Sequence, residues 1–281
     1  MDAFVTSAAG VRMPSIIYGT AWKKGETEQL VTLALQEGFR GIDTACQPRH
    51  YNEPGVGAGI SAALGPSLRR ADVYLQTKYT PASGQDPARI PYDPSAPLAE
   101  QVAQSFAASL SNLRTDYLDG LVLHSPLVTA HETLEAWRAM ESLVERGSVR
   151  QLGISNCYRL EQLQALHRAA RIKPAVLQNR FYAATGYDLE LRAFCATEHI
   201  IYQSFWTLTA NAHILDHPTM TSIAARHHRR APQILFRYLV DAGVVPLTGT
   251  RSRTHMLEDL QIFAFELSES ERRAIDALLG G

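Results

Sequence analysis

What this sequence lacks first is an excess of either charge: 27 Lys and Arg stand against 28 Asp and Glu, a formal charge of -1 over 281 residues. Such a balance offers no basic field for nucleic acid and no polybasic patch for a membrane surface, so a small molecule is the expected partner. Cysteine is scarce as well. Cys46, Cys157 and Cys195 are odd in number and lack metal-ligand spacing, which argues against a disulfide framework or a zinc knuckle and fits a reducing cytoplasm. Long apolar runs are missing, and the start MDAFVTSAAGVRMPS has neither the basic region nor the apolar stretch of a secretory signal. No GxGxxG or GK[ST] pattern occurs, so Gly55 and Gly57 read as shaping a helix start rather than a phosphate loop. The expectation is a soluble cytoplasmic protein, a monomer or weak dimer, with no nucleic-acid or membrane partner.

Hydrophobic residues make up 46% of the chain, enough for a large core, and nothing is low in complexity. Short apolar runs alternate with segments of helical period. The runs are SIIYG (15–19), RGID (40–43), VYLQTK (73–78), LDGLVLH (118–124), RQLGIS (150–155), AVLQ (175–178), IIYQS (200–204) and VVPLTG (244–249). Between them lie amphipathic helices: Leu30, Leu33, Ala34 and Glu37 fall at helical spacing ahead of a terminating Gly38, and Leu134, Trp137, Met140 and Val144 form another stripe. Eight strand–helix pairs without a linker predict one domain over residues 1–281, an α/β fold of the (β/α)8 TIM barrel class. The proline-rich stretch 79–97 reads as one long loop after the third strand, placed where it could lie over a pocket as a lid.

After the first run, which ends at Gly19, the residues at which these runs stop are all polar: Asp43, Lys78, His124, Ser155 with Asn156, Gln178, Gln203 with Ser204, and Thr248 with Thr250. In a parallel barrel the carboxyl ends meet on one face, where such folds carry their chemistry. Tyr51 follows in the loop beyond Asp43. A phenol near a carboxylate, an ammonium and an imidazole can serve as proton donor in carbonyl reduction; the Lys78 ammonium would draw the phenol down from its usual pKa of about 10, Asp43 would hold Lys78, and His124 would orient the carbonyl or relay the proton. A merely structural ion pair of Asp43 and Lys78, or a satisfied core histidine at His124, is the lesser reading beside Tyr51. His50 reads as a loop residue, Cys157 as packing, and the HHRR run at 227–230 as a solvated helix end.

The motifs GTAWK (19–23), GFRGIDTA (38–45), YNE with VG (51–57), QTK (76–78), NLRTDYLDGLVLHSP (112–126), ERGSVRQLGISN (145–156), LQN (177–179) and VVPLTGT resemble the aldo-keto reductase family along nearly the whole chain. The resemblance implies reversible hydride transfer between a nicotinamide nucleotide, NADP(H) with NAD possible, and an aldehyde or ketone. It implies a catalytic tetrad of Asp43, Tyr51, Lys78 and His124, with Ser155, Asn156 and Gln178 gripping the carboxamide. Gly19, Thr20, Gln203, Ser204, Phe205, Thr248, Gly249, Thr250, Arg251, His255, Glu258 and Asp259 complete the expected cofactor contacts, and Trp22 with His124 the substrate contacts. The chain departs from the family in three places. Its aspartate-to-tyrosine spacing is longer, so Tyr51 rests on the following Asn52-Glu53. Gln203 aligns with the usual stacking aromatic, leaving Phe205 or Trp206 for that task. Gly249, Thr250 and His255 occupy the positions that usually grip a 2′-phosphate, so Arg251 and Arg253 are expected to substitute. The expected end after a last helix leaves the pocket open. Against this reading stand a low-turnover nucleotide-binding regulator of the same fold, and a metal-dependent hydrolase, for which a single strand-end histidine is too few.

Overall fold

The computed structural model describes residues 3–280. Two short strands, β1 (Phe4–Thr6) and β2 (Arg12–Pro14), pair antiparallel ahead of the repeating pattern. Eight parallel strands then follow: β3 (Ile17–Gly19), β4 (Gly41–Asp43), β5 (Tyr74–Tyr79), β6 (Leu118–Leu123), β7 (Val149–Ser155), β8 (Val176–Arg180), β9 (Ile201–Phe205) and β10 (Val244–Thr248). They close in the order β10-β3-β4-β5-β6-β7-β8-β9. Each coincides with one of the eight apolar runs, because a strand covered on both faces needs a largely apolar stretch.

Outside the barrel lie α1 (Thr27–Glu37), α2 (Glu53–Ala63), α3 (Leu98–Leu113), α4 (Ala130–Glu145), α5 (Leu160–Ala169), α6 (Leu189–Thr197), α7 (Ala212–Leu215), α8 (Pro218–Arg226), α9 (Ala231–Asp241), α10 (Arg253–Leu260) and α11 (Glu269–Leu278). Gly38 ends α1 at φ 117°, a left-handed position that favours glycine. The stripes on these helices pack with the outward strand residues into one core, in which Trp137, Phe39 and Leu35 are fully buried.

Two features were not legible in sequence. The β1–β2 hairpin brings Met13, fully buried, into a cluster with Ile17, Tyr74, Val176, Ile201 and Val245, strand residues of the barrel. Above it the barrel interior is polar: Gln76 Nε2 donates to Asp43 Oδ1 (2.7 Å) and Gln203 Oε1 (2.8 Å), Gln178 Nε2 donates to the same two oxygens (3.0 and 2.8 Å), and Gln151 Nε2 donates to Tyr74 Oη (2.9 Å). The amides of Gln76, Gln178 and Gln203 persist there because they bond to one another and to Asp43, whereas Gln151 Oε1 has no partner among the described residues.

Candidate active site

Asp43, the last residue of β4, is positioned from both flanking strands. Thr20, just past β3, donates both its backbone N–H (3.0 Å) and its hydroxyl (2.9 Å) to the Asp43 carbonyl. From β5, Lys78 donates to both carboxylate oxygens at 2.7 Å and to the Thr44 carbonyl at 2.8 Å. All three ammonium protons are thereby engaged. The pair is fully buried; burial pulls the Lys78 ammonium below its ordinary range, and Asp43 pulls it back up.

Tyr51 owes its place to the two residues after it. The Asn52 side chain caps α2 by accepting from Gly55 N–H (3.1 Å), and buried Glu53 accepts from the hydroxyls of Thr77 (2.6 Å) and Ser109 (2.9 Å), tying that helix to β5 and α3. The glycines of α2 are packing residues: a Cβ on Gly57 would lie 2.2 Å from the Asn112 carbonyl. Held this way, the Tyr51 ring lies 6.0 Å from the His124 ring and 5.2 Å from Lys78 Nζ. One expectation fails here. Burial first, and then the Asp43 charge, push the phenol above its ordinary range, and Lys78, engaged with Asp43, does not bring it down.

His124 is held well below its ordinary range by burial and by the Lys78 and His50 charges, so its ring is neutral at neutral pH. Its Nδ1 stands 2.6 Å from Thr80 Oγ1. When Thr80 donates, the ring proton sits on Nε2, a donor with no protein partner among the described residues.

Around these groups opens a cavity of about 670 Å3, within the usual range for small-molecule sites. Of the expected residues, Gly19, Trp22, Asp43, Tyr51, His124, Ser155, Asn156, Gln178, Phe205, Thr248, Gly249, Thr250, His255, Glu258 and Asp259 line it. Lys78 stands behind Asp43. Thr20, Gln203, Ser204 and Arg251 do not line it, each for a visible reason. Thr20 serves Asp43. Gln203 is fully buried in the amide layer below, its Nε2 3.1 Å from Met13 Sδ. Ser204 points into the turn that follows, 2.9 Å from Thr207 Oγ1. Arg251 pairs with Glu26 (2.7 Å) and donates to the Trp22 carbonyl (2.8 Å), while Arg253 pairs with Glu37 (2.6 Å). The two arginines expected to bind a 2′-phosphate form exposed surface pairs here.

The cavity also holds residues the sequence reading passed over. His50, read as a loop residue, lines it with its ring 3.9 Å from Trp22 and its Nδ1 buried without a partner. Lys23, lowered to about 8 chiefly by burial, donates to the Gly249 carbonyl and so ties the first loop to the last. Arg180 lies over the Trp206 ring at 4.2 Å. Arg230, the last residue of the HHRR run, lines the cavity too. The loops 79–97 and 125–131 contribute no lining residue; 79–97 packs instead against the 44–50 segment through Gln85 to the Cys46 carbonyl (2.8 Å) and Gln47 to the Gly84 carbonyl (2.6 Å). The lid expected of 79–97 is absent from the cavity wall.

The donor set suits a nicotinamide carboxamide, which needs one acceptor and one donor. Gln178 has its amide hydrogens on Asp43 and Gln203, leaving Oε1 as acceptor, and Ser155 accepts from Asn156 Nδ2 (3.2 Å), leaving its hydroxyl proton free. Asn156 itself is turned inward, donating to the His124 carbonyl at 2.8 Å. Phe205 and Trp206 both border this spot, one face of Trp206 being covered by Arg180. Among the described residues no group of three or more His, Cys, Asp or Glu is placed to hold a metal ion.

The same fold recurs in known proteins. A sequence model described as the Aldo/keto reductase family matches residues 15–209. The glyoxal reductase of Bacillus subtilis (strain 168) is 30% identical, with 96% of this chain and 90% of that protein aligned. The methylglyoxal reductase DkgA of Yersinia pestis is 28% identical over 99% of this chain and 93% of its own. Among solved structures, the aldo/keto reductase from Brucella melitensis superposes with a TM-score of 0.84 at 28% identity, covering 98% of both chains.

Proposed function

The chain belongs to the aldo/keto reductase family, and from that premise we propose that it reduces an aldehyde or ketone to the alcohol with NADPH, NADH serving less well. The observation that carries this reading is the joint placement of Tyr51, His124 and Asp43 on the wall of one cavity, with Lys78 paired to Asp43 behind it. A bound nicotinamide nucleotide supplies the hydride. Ser155 and Gln178 would hold its carboxamide, Phe205 would offer the stacking face, and the Gly249–Asp259 segment would line its adenosine half.

Tyr51 acts as general acid. Because burial and Asp43 hold its phenol above the ordinary range, it keeps its proton at neutral pH and can give it to the carbonyl oxygen as negative charge develops there. In the reverse direction the same group, ionised, would serve as the base for alcohol oxidation. His124, neutral, orients the substrate oxygen through Nε2–H. Lys78 neutralises Asp43, without which two negative charges would face each other when the phenol ionises. Trp22, 48% exposed, and His50 border the mouth through which substrate arrives.

Loss of the reduced nucleotide's absorbance, followed with a panel of aldehydes, ketones and the small dicarbonyls for which two relatives are named, tests the proposal. Turnover on any of them with NADPH is the expected result. Nucleotide binding without turnover on the whole panel would favour the regulatory reading.

A further inference from the structure

In the closed strand order β10 stands four places from β6 in either direction, so the loop after β10 and the start of α9 lie across the rim from His124. At that side Arg230 immediately precedes α9, its backbone N–H donating to Gln233 Oε1 at 3.0 Å. Its Nη1 is 3.2 Å from His255 Nε2 and 3.7 Å from a Glu258 carboxylate oxygen. A guanidinium only donates, so His255 Nε2 accepts; the ring proton is then on Nδ1, which faces Thr250 Oγ1 at 3.5 Å. Arg230, His255, Thr250 and Glu258 all line the cavity.

The Arg230–Glu258 pair is loose and wet, with 58% and 25% of the two side chains exposed, so the guanidinium remains available to a stronger anion. Planar guanidinium forks match phosphate oxygens in pairs, whereas a carboxylate suits a ribose hydroxyl and repels a phosphate. Lys23 is tied to Gly249, Arg251 to Glu26 and Arg253 to Glu37. Arg180 lies against Trp206, at the rim of β8 and β9.

Resting on the reductase reading, we propose that Arg230, with His255 and Thr250, recognises the 2′-phosphate of the nucleotide, and that Glu258 opposes it and keeps NADH acceptable. The specificity cation then comes from the start of α9, a different element from the loop after β10. With the phosphate bound, Arg230 turns from Glu258 to the ligand, and with a free 2′-hydroxyl Glu258 accepts from it.

Dissociation constants of 2′,5′-ADP and 5′-ADP, with NADPH and NADH beside them, test this by calorimetry at fixed salt on the wild type, Arg230→Gln and Glu258→Gln. Wild type should prefer 2′,5′-ADP. Arg230→Gln should lose roughly tenfold to a hundredfold of affinity for 2′,5′-ADP, the usual worth of a charge-assisted bond, while 5′-ADP binding, unchanged, reports an intact fold. Glu258→Gln should widen the preference. Undiminished discrimination in Arg230→Gln, or a narrower preference in Glu258→Gln, overturns the inference and leaves the reductase reading standing. A wild type that binds neither NADPH nor NADH overturns both.

Discussion

On the side of the rim where β4, β5 and β6 end, each polar group is closely held by a neighbour at a strand end: the Asp43 carbonyl by the Thr20 hydroxyl, its carboxylate by Lys78, Lys78 also by the Thr44 carbonyl, and His124 by the Thr80 hydroxyl. Where β10 ends, Thr248 and Asp259 form a buried pair, but the outer polar groups are longer helix-borne side chains, partly in water and loosely paired, as Arg230 is with Glu258. Strand ends inside a closed barrel have no freedom to reorient without breaking the ladder, so chemistry that tolerates little misplacement belongs there. Recognition of a flexible ligand's far end tolerates exchange of partners.

The strongest way to break this comparison is at Tyr51. Tyr51→Phe should lower turnover by about 100- to 10,000-fold with nucleotide affinity nearly unchanged, because the phenol acts on the substrate oxygen. Steady-state rates beside nucleotide titrations decide it, and a variant keeping most of its activity would pass the proton to His50 or His124.

Next in size is Lys78→Met. It strands a buried Asp43 carboxylate with only the amides of Gln76 and Gln178, so stability should fall by about 3–5 kcal/mol along with activity. Adding Asp43→Asn should restore much of the stability but not the rate. Urea unfolding of the two variants that showed no loss for Lys78→Met would contradict the tight pairing.

On the β10 side, Asp259 is raised from 3.8 to about 7 by burial, against the Thr248 hydroxyl that donates to it at 2.7 Å. Its folded pKa exceeds the unfolded one, so between those values the native state holds more protons and stability falls as pH rises towards 7. Between pH 5 and 8 this costs on the order of 1–3 kcal/mol, which Asp259→Asn should abolish in unfolding curves at the two pH values. Equal pH dependence in both proteins would show that Asp259 ionises normally.

Smallest of all should be the effect of Arg251→Ala with Arg253→Ala. Both guanidiniums are exposed and engaged with Glu26 and Glu37, and such surface pairs contribute about 0–1 kcal/mol each. Discrimination between NADPH and NADH should change by less than about twofold. A large loss would return the phosphate site to the loop after β10.

Much of the fold and half of the site could be read from residue order alone. The eight strands were legible because a buried parallel strand is largely apolar, and Asp43, His124 and Ser155 because polarity begins where such a strand leaves the barrel. Tyr51 was found through Asn52-Glu53, whose capping and anchoring place it. Gln203 and Ser204 misled: both sit at the end of an apolar run, yet one side chain points down into the amide layer and the other into a turn, which depends on the pleat and the local chain path.

By itself, then, the order of residues determined the barrel, its rim of polar strand ends and the family, since these follow from local patterning. Only the tertiary structure decided which rim groups meet, that Lys78 is wholly engaged with Asp43 and Thr44, that the hairpin of β1 and β2 carries Met13 into the barrel's apolar cluster, and that Arg230, His50 and Lys23 join the cavity. Each of those depends on distance between segments remote in the chain, and burial, pKa and ion pairing are properties of that distance.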